Sequence, residues 1–251
     1  MNKKTRRNIA VLCLIIGAAV SCAQGPGNLF RAANDQYTKG MFEEAAEIYR
    51  ELTDERGIVS PEVYYNLGNT YFRLTQYGRA VLWWEKCLTL KPRDADARHN
   101  IRLVRSKLFK ETEQTSAVDI IHGWLTNTIS LNEISIAVLF LYCLSSGIMV
   151  LFILRKKALF LKFGIIGLLL LLVTGIWAYI LYDYHIQTRR AIVTAASIEV
   201  HSGPDESTSV AFTVSQAREA VLLRESGDWQ EIGIPEKGLK GWVQKGTVAG
   251  I

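Results

Sequence analysis

Two stretches of the chain carry no charged residue at all: Ile134–Leu154, 21 residues, and Phe163–Tyr182, 20 residues. A helix needs about 20 apolar residues to cross a hydrocarbon layer roughly 30 Å thick, so each run is long enough to span a membrane. Apolar character on every helical face, twice over, has no place in a protein of this size except a bilayer. Between them stands only Arg155-Lys156-Lys157-Ala158-Leu159-Phe160-Leu161-Lys162, enough to turn a helical hairpin. Both outer ends of such a hairpin face the same side. Before it, residues 28–110 space their apolar positions with helical period; after it, residues 191–251 change to short β-rich runs between Gly, Pro, Ser and Asp turns. The strands predicted there are Ala191–Ala195, Phe212–Val214, Ala220–Arg224, Trp229–Ile234 and Gly241–Val243.

Charge fixes the orientation. The formal net charge is +5, which raises the question of nucleic acid. Residues 24–119 carry 14 basic and 14 acidic side chains, and residues 189–251 carry 7 and 8. The excess therefore sits at Lys3, Lys4, Arg6 and Arg7 and at Arg155, Lys156, Lys157 and Lys162, which flank apolar segments. Positive residues in that place mark the cytoplasmic side, and neither soluble part has the basic face that phosphates require. Nucleic acid is excluded as a partner. The start of the chain, basic residues followed by Ile9–Val20 and Ser21-Cys22-Ala23, reads as a signal peptide over 1–23. Ala19-Val20-Ser21-Cys22 is also a degenerate lipobox, in which Cys22 would carry lipid.

Within 28–110 a spaced motif recurs. Tyr64-x-x-Leu67-Gly68-x-x-Tyr71, Tyr77-x-x-Ala80-x-x-x-Trp84-x-x-Cys87-Leu88 and then Pro92 resemble the tetratricopeptide (TPR) pattern over one full unit. Ala33, Gly40, Phe42, Ala45, Tyr49 and Leu52 lie one unit upstream, with a longer connection at Thr53–Ser60. Ala95–Phe109 is the first helix of a third unit without its second, and reads as a cap. Trp84 is expected between the repeat helices. In that family the first helix of each unit lines a concave groove for extended peptides or partner helices. By position, the resemblance puts Phe30, Asn34 and Tyr37, and Tyr65, Asn69 and Phe72, on this groove; the alternative for the aromatics, Tyr37 above all, is packing within the array. Phe30 and Tyr65 stand where a carboxylate clamp wants a basic residue, so the pattern favours an aromatic-lined groove for a protein partner.

Residues 117–133 place Val118, Ile121, Leu125 and Ile129 at near-helical spacing beside Trp124, which suits a linker lying at the membrane interface. In the last segment Val200-His201-Ser202-Gly203-Pro204, Gly227-Asp228-Trp229 and Gly241-Trp242-Val243 resemble bacterial SH3 (SH3b) domains in order and spacing. That resemblance implies a small barrel with a protein or cell-wall ligand. Trp242 is expected in its core, and Trp229 either as a surface aromatic for a ligand or in a packing role.

No phosphate loop, zinc-binding His-Glu-x-x-His or nucleophile elbow occurs, and the four histidines make no ligand set. The chain reads as a non-enzyme without cofactor. Its fold class is that of a multidomain membrane protein: an all-α TPR helical repeat, two transmembrane helices and a C-terminal all-β SH3-like barrel. This order, from leader to SH3b, resembles the BatE branch of the Bat (Bacteroides aerotolerance) family. With residues 155–162 cytoplasmic by their charge and both soluble domains therefore periplasmic, the resemblance implies a multi-pass protein of the bacterial inner membrane. It also implies a scaffold role in aerotolerance, stress or envelope-protein assembly, with von Willebrand A-domain membrane proteins as partners. The alternative is a cell-envelope sensor that binds peptidoglycan.

Overall fold

The computed structural model describes residues 25–109, 121, 129–184 and 188–251. The leader over 1–23, Cys22 and most of the interfacial stretch 117–133 lie outside them. The chain divides after Thr75 into two units.

The first unit is helical: α1 (Pro26–Thr38), α2 (Phe42–Arg50) and α3 (Pro61–Arg73). Pro26 and Pro61 stand in the first turns of α1 and α3, where a missing N–H costs nothing. The Ser60 hydroxyl accepts the Val63 N–H and caps α3. The expected long connection at Thr53–Ser60 is a π-helical turn, Glu51–Glu55, that prolongs α2 and keeps Leu52 buried. Leu29, Ala33, Ala45, Tyr49, Leu52, Val63, Leu67 and Tyr71 form the interior. They fall on the helical spacings that the repeat pattern predicts.

The second unit opens with α4 (Tyr77–Leu90) and α5 (Ala95–Leu108). Pro92 lies in the break between them, and Asp94 Oδ1 accepts the Ala97 N–H at 3.0 Å to start α5. Trp84 is buried, as its repeat position predicts. The burial of α4 goes further: Ala80, Val81, Leu82, Trp83, Trp84 and Glu85 are buried in succession, more than a full turn with no solvent face.

The apolar runs form α6 (Leu131–Arg155) and α7 (Ala158–Tyr182), both long and apolar enough to cross a membrane. Ser130 and Glu133 begin α6 with a reciprocal capping box. The turn between the helices is narrower than the expected 155–162 loop. Nothing in Ala158-Leu159-Phe160-Leu161-Lys162 breaks a helix, so α7 starts at Ala158 and only Lys156 and Lys157 remain outside. Lys156 takes the left-handed conformation (φ 48°) that lets the chain reverse. The two helices pack side by side. Where they approach, a Cβ on Gly167 would stand 2.5 Å from Ser145 Oγ, the close contact that small residues allow between membrane helices.

After α7 comes a seven-stranded antiparallel sheet: β1 (Arg190–Val193), β2 (Ser197–His201), β3 (Val210–Ser215), β4 (Glu219–Ser226), β5 (Trp229–Ile234), β6 (Leu239–Gln244) and β7 (Val248–Gly250). The spatial order is β3-β2-β6-β5-β4-β1-β7. The ladders leave β3 and β7 as edges, so the sheet is open; the closed SH3-like barrel that the resemblance implies is not made by them. Ala191, Val193, Ile198, Val200, Val214, Ala220, Ile232, Ile234, Val243 and Val248 form its core. Trp242, expected in that core, is only half-buried, because Gly241 and Val243 take the inward places on either side of it. Its ring faces the Arg224 guanidinium, 5.8 Å from the centroid. Two strands had not been anticipated. β2 was readable, since Ile198 and Val200 alternate with exposed neighbours. β7 is three residues long and exists through its pairing with β1.

Candidate functional site

On α1 and α3 all six groove candidates are half-buried. Those on α1 are committed to neighbouring helices. Asn34 Oδ1 accepts the Tyr49 hydroxyl at 2.5 Å and the Asn66 side-chain amide at 3.0 Å, joining α1, α2 and α3 at one polar node. Burial raises the Tyr49 phenol to about 12, against the opposing pull of the Asn66 amide and with a further push from Tyr37. Phe30 meets the Tyr49 ring edge-on at 6.1 Å, and Tyr37 meets Phe42 at 5.3 Å. The Arg73 guanidinium lies 4.4 Å from the Phe42 centroid. Tyr65, Asn69 and Phe72 follow one another along α3 at spacings of four and three, and therefore share a face. Asn66 was not foreseen. The resemblance places Asn34 and Asn69 on the groove; the amide that meets Asn34 is Asn66, one helical turn before Asn69.

A second surface lies on the sheet. Trp229 is half-buried, edge-on to His201 at 5.2 Å, and His201 Nδ1 stands 3.0 Å from the Thr208 carbonyl. Trp229 borders two shallow clefts of about 460 and 650 Å³, whose polar rims include Glu206 and Gln244.

A third feature had no signal in the sequence. β1 is buried at all four positions, whereas a strand with one wet face alternates. Ala191 and Val193 point into the sheet core, so Arg190 and Ile192 lie on the other face, and α4 packs against this strand. Arg190 Nη2 reaches Glu85 Oε2 of α4 at 3.3 Å, and Arg190 Nε reaches Glu219 Oε1 of β4 at 2.6 Å. The other Glu85 oxygen takes Arg105 of α5 at 3.2 Å. Burial alone would lower the Arg190 pKa; the hydrogen bond to Glu219 and the charges of Glu85 and Glu219 outweigh it and raise the pKa. The guanidinium also lies 4.3 Å from the Tyr184 ring, and burial pushes that phenol upward. At the start of α4, where Gln76 offers no side-chain cap, the Gly78 N–H donates to Gln216 Oε1 at 3.0 Å. A Cβ on Gly78 would stand 2.4 Å from the Val193 carbonyl oxygen.

Among the described residues no group of three or more His, Cys, Asp or Glu is placed to hold a metal. The architecture is that of a helical repeat module followed by a hairpin of two helices long and apolar enough to cross a membrane and then an antiparallel sheet. Residues 61–94 match the tetratricopeptide repeat family. No curated protein matches the chain. TPR repeats are non-catalytic modules that mediate protein–protein interactions.

Proposed function

We propose that this chain is a membrane-anchored protein–protein interaction scaffold. Two modules, a short TPR array and an SH3b-type domain, stand on the periplasmic face of a bacterial inner membrane. The observation that carries this reading is the TPR match at 61–94, directly ahead of two 25-residue helices whose most apolar windows are only 6 % buried. Such helices need a bilayer to cover them. The resemblance to BatE supports a place in a Bat-type aerotolerance or envelope-assembly system, with von Willebrand A-domain membrane proteins as the partners. Arg155, Lys156, Lys157 and Lys162 favour the cytoplasmic side for the hairpin turn. The recognition surface is the α3 face carrying Tyr65, Asn69 and Phe72, continued on α1 by the exposed parts of Phe30, Asn34 and Tyr37. A second reading, peptidoglycan sensing through Trp229, draws on the two clefts that this ring borders.

The test is replacement of Tyr65 and Phe72 by Ala in the full-length protein, with partners co-purified from mildly solubilised membranes. Aromatic anchors of this kind are worth roughly 2 kcal/mol or more each, about 30-fold in affinity. Lost partners with an unchanged melting temperature support the scaffold. A collapsed melt shows that these rings are interior and refutes the groove. Partners retained by the double variant but lost on Trp229→Ala, with saturable binding to purified peptidoglycan, favour the sensor.

A further inference from the structure

We infer that the C-terminal sheet is the closing cap of the α4–α5 end of the helical array, supplied from beyond the membrane hairpin. A short repeat array ends in an apolar face that must be covered, and here the third unit provides only α5. The helix α4 nevertheless has no wet face from Ala80 to Glu85. Part of that cover is β1, the one strand buried along its whole length. Three independent features fit the surfaces to each other. Gly78 has no Cβ where one would strike the Val193 carbonyl. Gln216, in the turn before β4, supplies the helix start with the acceptor that Gln76 does not. Arg190 bridges a carboxylate on α4 and one on β4, while Arg105 of α5 completes Glu85. A helix cap, a close backbone approach and a buried ion network at one seam belong to a built interface. The array end and the sheet form one body, whichever partner the array binds.

The experiment places a single cysteine at Ile192→Cys in the full-length, detergent-solubilised protein, with the native cysteines replaced, and follows its maleimide labelling. Ile192 is fully buried on the face turned to α4. Labelling should be slow, and Gly78→Val should speed it at least about tenfold by forcing the surfaces apart. Gly27→Val, whose Cβ meets nothing within 4 Å, should leave it unchanged. A parallel cysteine at Val200→Cys, inside the sheet's own core, reports whether the sheet itself survives. Acceleration at 192 with slow labelling at 200 confirms the cap. Fast labelling at 192 without Gly78→Val, no acceleration with it, or equal acceleration at both positions overturns the proposal.

Discussion

Arg190→Ala should be among the most damaging single changes outside the membrane helices. The side chain is 8 % exposed and holds two carboxylates, Glu85 at 11 % and Glu219 at 25 %. Removing one partner of a buried pair costs about 3–5 kcal/mol, because the remaining charge is left desolvated. Glu85 keeps Arg105, and Glu219 reaches water through its exposed quarter, so the lower end applies: about 3 kcal/mol. The pair of Arg50, the last residue of α2, with Asp54 of the π-helical turn is an internal control. It is 3.1 Å long but 55 % and 47 % exposed, and Arg50→Ala should cost only about 0.3–0.5 kcal/mol. The assay is urea unfolding of the full-length protein in micelles, followed by tryptophan fluorescence in a variant that keeps only Trp83 and Trp84 of the six tryptophans, with the slope checked for constancy. A cycle combining Arg190→Ala with Glu85→Ala should give a coupling of roughly 1–3 kcal/mol. A cost below about 1 kcal/mol for Arg190→Ala, or a coupling indistinguishable from zero, would mean the seam behaves as an exposed pair and would refute the reasoning.

Tyr49→Phe should cost about 1 kcal/mol by removing the hydrogen bond to Asn34, and it should also change the alkaline limb of stability. The folded phenol titrates near 12 against 10.0 for the free group, so the unfolded chain releases this proton first. Its contribution is full below pH 10 and is lost as the pH rises toward 12; the phenylalanine variant, compared by urea midpoint across that window, should lose less. Topology is checked by alkaline-phosphatase fusions after residues 115 and 195. With Glu85 and Arg190 in contact across the hairpin, the two fusions should behave alike, and on the proposed periplasmic side both should be active. One active and one inactive fusion refutes the shared side, and two inactive fusions refute the periplasmic placement.

What was legible in the sequence was whatever depends on local spacing. Leu67, Gly68, Ala80 and Trp84 hold the apolar places of the repeat motif and are buried, and Pro92 stands where a helix ends; each is readable from the motif alone. The two long apolar helices follow from length and lack of charge, but their turn does not, because helix continuation through residues 158–162 depends on the absence of a breaker rather than on any positive signal. The run Ala80-Val81-Leu82-Trp83-Trp84 did announce a helix without a polar face. It did not announce what would cover it. Glu85 and Arg190 are 105 residues apart, and no periodicity links them. Asn34, placed on the groove by family position, also accepts from Tyr49 and Asn66. A polar residue on a helix offers the same letter to a partner as to its own fold.

The separation of Glu85 from Arg190 also decides where the stability of the seam must come from. Bringing together residues 105 apart costs loop-closure entropy, and the hairpin shortens that loop because α6 and α7 run side by side and return the chain near its point of entry. The two helices, 25 residues each, remove about half of the connecting length. Halving a loop gains only about 0.6 kcal/mol, since the cost grows as the logarithm of length. That is a small fraction of the roughly 3 kcal/mol assigned to Arg190. Under the proposed membrane topology the hairpin is a sorting device more than a tether: it returns β1 to the side where α4 waits. The surfaces themselves, through Gly78, Gln216 and Arg190, must supply the rest.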